Sequence, residues 1–123
     1  MRAVGPLLLV ASEFRQLDAY RRSVAIAHEL HSAIERWPRL DRQTVGPQLI
    51  RAATSVGANI AEASGRWHEQ DRRRILWIAR GSLLETEHWI AYAEERGLLA
   101  RGTSDRVDEI ARPLNGLINK QRN

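Results

Sequence analysis

Apolar residues recur along most of this chain at alternating steps of three and four, the spacing that draws a stripe down one side of an α-helix. The densest such run is Leu49, Ala53, Val56, Ile60 and Ala63. Most of it is small, which lets neighbouring backbones come close and predicts a central helix touched on more than one side. Pro47 suits its first turn, Thr44 is a candidate cap further out, and Gly65 is a natural stop. Upstream, Leu17, Tyr20, Val24, Ala27 and Ile34, with His31 completing the seam, predict a helix from Glu13 to Trp37. Ile26, Leu30, Ala33 and Trp37 widen its apolar face, and Pro38 ends it. Residues 39–46 read as a polar connection.

Downstream, the longest helix is predicted from about Glu69 to Arg96, with a core arc of Ile75, Ile78, Ala79, Ser82, Leu83, Thr86, Trp89, Ile90 and Ala93. Gly97 supplies a left-handed stop, and Leu98-Leu99 can fold back on the bundle. A last helix begins near Ser104 or Asp105 and buries Val107, Ile110, Ala111, Leu114, Leu117 and Ile118. Pro113 removes one hydrogen bond from it, so a kink and looser order beyond are expected. Four such segments predict an all-α, antiparallel four-helix bundle forming a single domain over residues 13–119. Residues 1–12 read as a flexible N-terminal arm and residues 120–123 as a frayed tail. The arm's apolar run from Ala3 to Ala11 falls well short of the about 20 residues that span a bilayer, and Glu13 and Arg15 end it.

Two further lines run outside these stripes. Trp77, Leu84 and Ala91 follow one another at seven-residue steps on the side of the long helix opposite its core arc, where a monomer carries polar groups. That pattern predicts an oligomer interface. On the central helix Arg51, Ser55, Ala58, Glu62 and Arg66 form a polar flank with Asn59 beside it. Exposed, Glu62 and Arg66 are an ordinary ion pair; buried, Ser55, Asn59 and Glu62 would set the register between helices.

The run Arg51-Ala52-Ala53-Thr54-Ser55-Val56-Gly57-Ala58-Asn59-Ile60-Ala61-Glu62-Ala63 resembles the signature of the bacterial four-helix bundle proteins related to the 23S rRNA intervening-sequence protein. Trp37-Pro38, Gln48-Leu49 and the run from Ile78 to Glu87 match further parts of that pattern, and the resemblance covers roughly residues 14–120. Gly57 stands where many members have proline, and Ala63 where glycine is common, which leaves the subfamily open. The resemblance implies a cytoplasmic helical protein that assembles into homo-pentamers. Related bundles serve as accessory proteins to diversity-generating reverse transcriptases.

Composition narrows the chemistry. Of 19 basic residues 18 are arginine, against 15 acidic ones, for a formal charge of +4. Arginine's planar fork pairs with phosphate or carboxylate, so the bias suits nucleic acid or ion pairs between subunits. Arg72-Arg73-Arg74 opens the long helix beside Trp67 and Trp77, with Arg66 and Arg80 near, and these five are the candidate nucleic-acid-binding residues. The competing reading is a solvated face balanced by Glu69 and Asp71. The absence of cysteine removes disulfide and thiolate chemistry.

Catalytic machinery is not apparent. Glu85-Thr86-Glu87-His88 supplies half of a di-iron carboxylate motif, but the corresponding Glu109-Ile110-Ala111-Arg112 carries arginine at the ligand position. His28 and His31 lack a third ligand at matching spacing. There is no glycine-rich phosphate loop or nucleophile elbow. No metal, cofactor, membrane or small-molecule substrate is therefore expected. The expected role is a non-enzymatic, oligomeric scaffold that binds structured nucleic acid, RNA favoured through the family name. The alternative is an assembly module that recruits a protein partner such as a reverse transcriptase.

Overall fold

A computed structural model describes residues 11–121; the first ten residues of the expected arm over residues 1–12 and the last two of the expected tail lie outside the described residues. All regular structure among the described residues is helical. A 3-10 turn over Ala11–Gln16 leads into α1 (Asp18–Ile34), followed by a short α2 (Arg39–Gln43), then α3 (Val45–Ser64) and α4 (Glu69–Glu95). A second 3-10 turn, Thr103–Arg106, precedes α5 (Val107–Lys120). The four long helices close a ring: α3 packs on α1 and most extensively on α4, while α5 packs on α4 and α1.

The core forms because each helix carries an uninterrupted seam. On α3, Val45, Leu49, Ala52, Ala53, Val56, Ile60 and Ala63 are buried, and on α5 Val107, Ile110, Leu114 and Ile118. The α4 seam differs from the expected arc: Leu76 is buried, whereas Ile78 is 47% exposed. Buried Arg72, Leu76, Ala79, Leu83, Thr86, Ile90 and Ala93 keep strict steps of four and three, so one register serves the whole helix. On α1 the seam runs through Ala19, Ser23, Ile26, Leu30 and Ile34, and His31 is exposed. Buried Ser23 and Thr86 satisfy their hydroxyls locally, donating to Tyr20 O and Ser82 O at 2.8 Å each. A short side chain that bonds its own helix backbone needs no partner across the core.

The ends of the elements depart from expectation for identifiable reasons. The first helix starts later and stops earlier than Glu13 to Trp37, yet Trp37 stays buried and its indole N–H donates to Leu98 O at 3.1 Å. The expected polar connection over residues 39–46 instead holds α2 and the first two residues of α3, with Thr44 as a turn between them; Asp41 is buried there and accepts from Arg96 Nε at 3.0 Å. Thr44 stands at the N-cap of α3 but donates its hydroxyl backwards to Leu40 O instead of capping. Gly97, at φ +76°, ends α4, and the Leu98 amide reaches Ala93 O at 2.8 Å, folding Leu98 and Leu99 onto the core. Neither Ser104 nor Asp105 caps α5; the Ser104 amide instead donates to Glu94 at 2.8 Å. Glu29 and Arg106 tie α1 to that turn, and Arg106's hydrogen bond holds the Glu29 carboxyl below its ordinary range.

α5 runs on through Pro113 to Lys120, with Leu114 and Ile118 buried on its far side. The tail expected to fray is therefore helical at Lys120, and Gln121 just beyond it is buried.

α1 and α3 also come close at Gly57, in the middle of both helices. A Cβ there would lie 3.2 Å from Ser23 Oγ and 3.3 Å from Val24 Cγ2. Gly57→Leu should therefore force the two helices apart and lower unfolding free energy by about 1–3 kcal/mol, the usual cost of overpacking a core. A shift of the urea midpoint at unchanged slope is the expected reading; an unchanged midpoint would mean that α1 yields without cost.

Candidate interaction surfaces

The five candidate arginines do not form one patch. Arg72 occupies the first position of the α4 seam and is only 8% exposed. Its guanidinium donates to Gln121 Oε1 at 2.8 Å, Arg66 O at 2.9 Å and Trp67 O at 2.8 Å, with Glu69 4.0 Å away. It is thus a structural plug that fastens the α3–α4 connection to the end of α5, and the accessible patch loses it. Arg73 lies half-buried and donates to Ile118 O at 2.9 Å. Arg80 donates to Asn115 Oδ1 at 3.0 Å and lies over the Trp77 ring at 5.4 Å. Arg66 is exposed and bonded to Glu62 at 2.7 Å, which raises its pKa further. Arg74 is exposed, with no hydrogen bond or ion pair among the described residues.

The outer face of α4 is apolar. Trp77 is 46% exposed, Leu84 51% and Tyr92 43%, and Ala91 is exposed between them. Ile78 widens the band, as the register of the seam requires: turning Leu76 inward turns Ile78 out. Gly81 and His88 lie along the same face and are also exposed. Trp89 packs at its border, edge-on to His88 at 4.7 Å and to Tyr92 at 5.9 Å. Trp67, 87% exposed, stands in the α3–α4 connection.

Residues 15–120 match the family described as 23S rRNA-intervening sequence protein. The chain belongs to this family. No curated protein sequence gives a match that adds an individual relative. Of the family signature, Ala52, Ala53, Val56, Gly57, Ile60 and Ala63 are buried in α3. The polar members face outward or sideways: Arg51 bonds Gln48, Ser55 donates to Arg51 O at 2.7 Å, and Asn59 donates to Ser55 O at 2.8 Å. These bonds stay within one helix, so the polar flank spends its hydrogen-bonding capacity locally. Beside it, between α1 and α3, lies a cleft of about 350 Å³ walled by Phe14, Tyr20, Val24, Ala53, Gly57 and Ala61.

Among the described residues, no three His, Asp or Glu side chains converge as metal ligands would, and no helix is long and apolar enough to cross a membrane. Sequence reasoning missed Gln121, Leu76 and Ile78. The first lies three residues beyond Ile118 on the α5 stripe, and extending the α4 seam back by its own steps from Leu76 reaches Arg72. Arg72→Ala should destabilise the protein by about 2–3 kcal/mol, because it strips charged hydrogen bonds from buried acceptors. Arg74→Ala should stay within about 0.5 kcal/mol of wild type. Urea denaturation of both variants separates the two roles, and equal losses would contradict them.

Proposed function

We propose that this family member is a non-enzymatic scaffold that assembles into a homo-oligomer through the outer face of α4 and presents arginines to structured RNA. The observation that carries the assembly is the exposed band of Trp77, Ile78, Leu84 and Tyr92 on a helix whose opposite face already closes the core. Aromatic anchors flanked by small Gly81 and Ala91 suit a packed helix interface better than a solvated surface. A pentamer is the assembly that the family resemblance implies. The same reading takes the four helices as alternating in direction, supported by Trp37 meeting Leu98 and Arg72 meeting Gln121 at opposite ends of the long helices. A cytoplasmic site of action fits the lack of cysteine.

RNA is the favoured partner because Arg74 and Arg80 flank Trp77 on this helix, with Arg66 exposed just before it. Arg74 is unengaged among the described residues, Arg80 lies by Trp77, and Arg66 shares its charge with one carboxylate. A formal charge of +4 per chain is modest, but copies repeated around a ring act multivalently. Phosphate contact by arginine carries little sequence information, so shape and charge would govern recognition.

Light scattering on a sizing column tests the assembly: the wild type should run as a species larger than a dimer. Trp77→Glu with Leu84→Glu should give smaller species of unchanged helicity, since charge at a buried interface is strongly unfavourable. A wild type that is monomeric at micromolar concentration would refute the α4 interface.

RNA contact is tested by gel shift across a salt series, with wild type against a variant carrying Arg66, Arg74 and Arg80 as glutamate. Each phosphate released from neutralisation removes about 0.7–0.9 from the slope of log affinity against log salt, so the variant should bind weakly with a flatter slope. Equal binding by the variant, or no shift by the wild type at low salt, would leave recruitment of a protein partner as the role.

A further inference from the structure

The cleft between α1 and α3 is largely apolar, with Ser23, His28 and His31 of α1 and Thr54 of α3 also lining it. Tyr20, Val24 and Ala27 come from α1, Ala53, Gly57, Ala58 and Ala61 from α3. Thr54 and Ala58 are exposed at its lip and Tyr20 and Val24 are half-buried, whereas Ala27, Ala53 and Gly57 form its buried floor. Its third contributor is Phe14, carried by the 3-10 turn Ala11–Gln16 and stacked edge-on against Tyr20 at 4.9 Å. The turn packs against both α1 and α3, so the chain enters the bundle at the rim of this cleft.

The segment immediately before that entry is Ala3-Val4-Gly5-Pro6-Leu7-Leu8-Leu9-Val10, which has no charged or hydrogen-bonding side chain. From these facts we propose that residues 3–10 dock in the α1–α3 cleft of their own chain, with the leucines against Val24, Ala27, Ala53, Gly57 and Ala61. Position and length both fit. At about 2 Å per residue in a 3-10 turn, Val10 joins the described chain within about 8 Å of Phe14. The cleft extends from Tyr20 to His31, about 16 Å along α1 at 1.5 Å per residue. The eight residues span about 26 Å when extended, enough to follow the cleft to its far end. Chemistry fits as well, because a run of three leucines and a valine gains by leaving water, and the small residues on α3 leave room for branched side chains. The proposal does not rest on the α4 interface or on RNA contact.

The absence of native cysteine gives a direct test. Full-length proteins carrying Leu8→Cys together with Ala58→Cys, at the exposed lip of the cleft, are oxidised and run on a denaturing non-reducing gel. A disulfide forms only when the two Cα atoms come within about 4.4–6.8 Å. Tethering alone gives millimolar effective concentrations, so Leu8→Cys with Asp108→Cys, exposed on α5 and outside both the cleft and the outer face of α4, sets the background. Docking in cis predicts an intrachain bond at Ala58→Cys formed at least several-fold faster than in the Asp108→Cys control. Covalent dimers in place of the intrachain bond would show exchange of the segment between copies and overturn the proposal. Equal rates in the two pairs, or no bond in either, would also overturn it. As an independent reading, deletion of residues 1–10 should leave the circular dichroism helicity unchanged and raise the fluorescence of an added apolar dye several-fold; an unchanged dye signal counts against docking.

Discussion

The bundle depends on how closely α3 can approach its neighbours. α3 packs against α1 on one side and α4 on the other, and it manages both because Ala52, Ala53, Gly57 and Ala63 leave its surface nearly flat. Dispersion falls steeply with separation, so an added side chain at Gly57 would loosen contacts along both helices, beyond its own site. The longer side chains that fill the core, Leu49 and Ile60 on α3 with Ile90 on α4 and Leu114 on α5, then interdigitate around that thin central helix. Polar groups inside are kept from competing with this packing: Ser23 and Thr86 bond their own helices, and Asp41 is met by Arg96.

Both ends of the ring add polar contacts to the apolar packing. At one end Trp37 and Asp41 reach the segment that follows α4. At the other, Arg72 joins the α3–α4 connection to Gln121. Buried arginine is costly unless its donors are occupied, and here three acceptors surround it. This position at the end of a seam is where a long cationic side chain can bury its stem and still find backbone carbonyls left over from a helix terminus. The consequence for function is a redistribution of charge. The triplet of arginines contributes one structural residue, one that braces α5 through Ile118 O, and one, Arg74, that is exposed.

With the core closed on the inside of α4, its outer face has no structural task within the chain. Trp77, Leu84 and Tyr92 keep their register along about four turns, and Arg80 lies over the ring of Trp77. The arrangement divides labour: α3 holds the fold, and α4 both completes the core and offers a surface. The cleft beside α1 is a second apolar surface, on the opposite flank of α3, and the two are chemically distinct. One carries arginine beside large aromatic side chains, the other small α3 residues facing Phe14, Tyr20 and His28.

Sequence alone determined what depends on local periodicity and composition. Alternating steps of three and four, together with Pro38, Gly65 and Gly97, place the four long helices, and the family match over residues 15–120 agrees with the signature on α3. The apolar face on α4 was equally legible, since Trp77, Leu84 and Ala91 repeat at a fixed interval. Tertiary structure decided the rest, because it turned on rotations of one residue and on partners far apart in the chain. Whether Leu76 or Ile78 faces inward follows from how α4 meets α3, and both choices satisfy an apolar pattern. The fate of Arg72 is set by Gln121, 49 residues away, which no local rule connects to it. Asp41 and Arg96 are likewise joined only in space, and the polar residues 39–43 gave no local sign that they form α2.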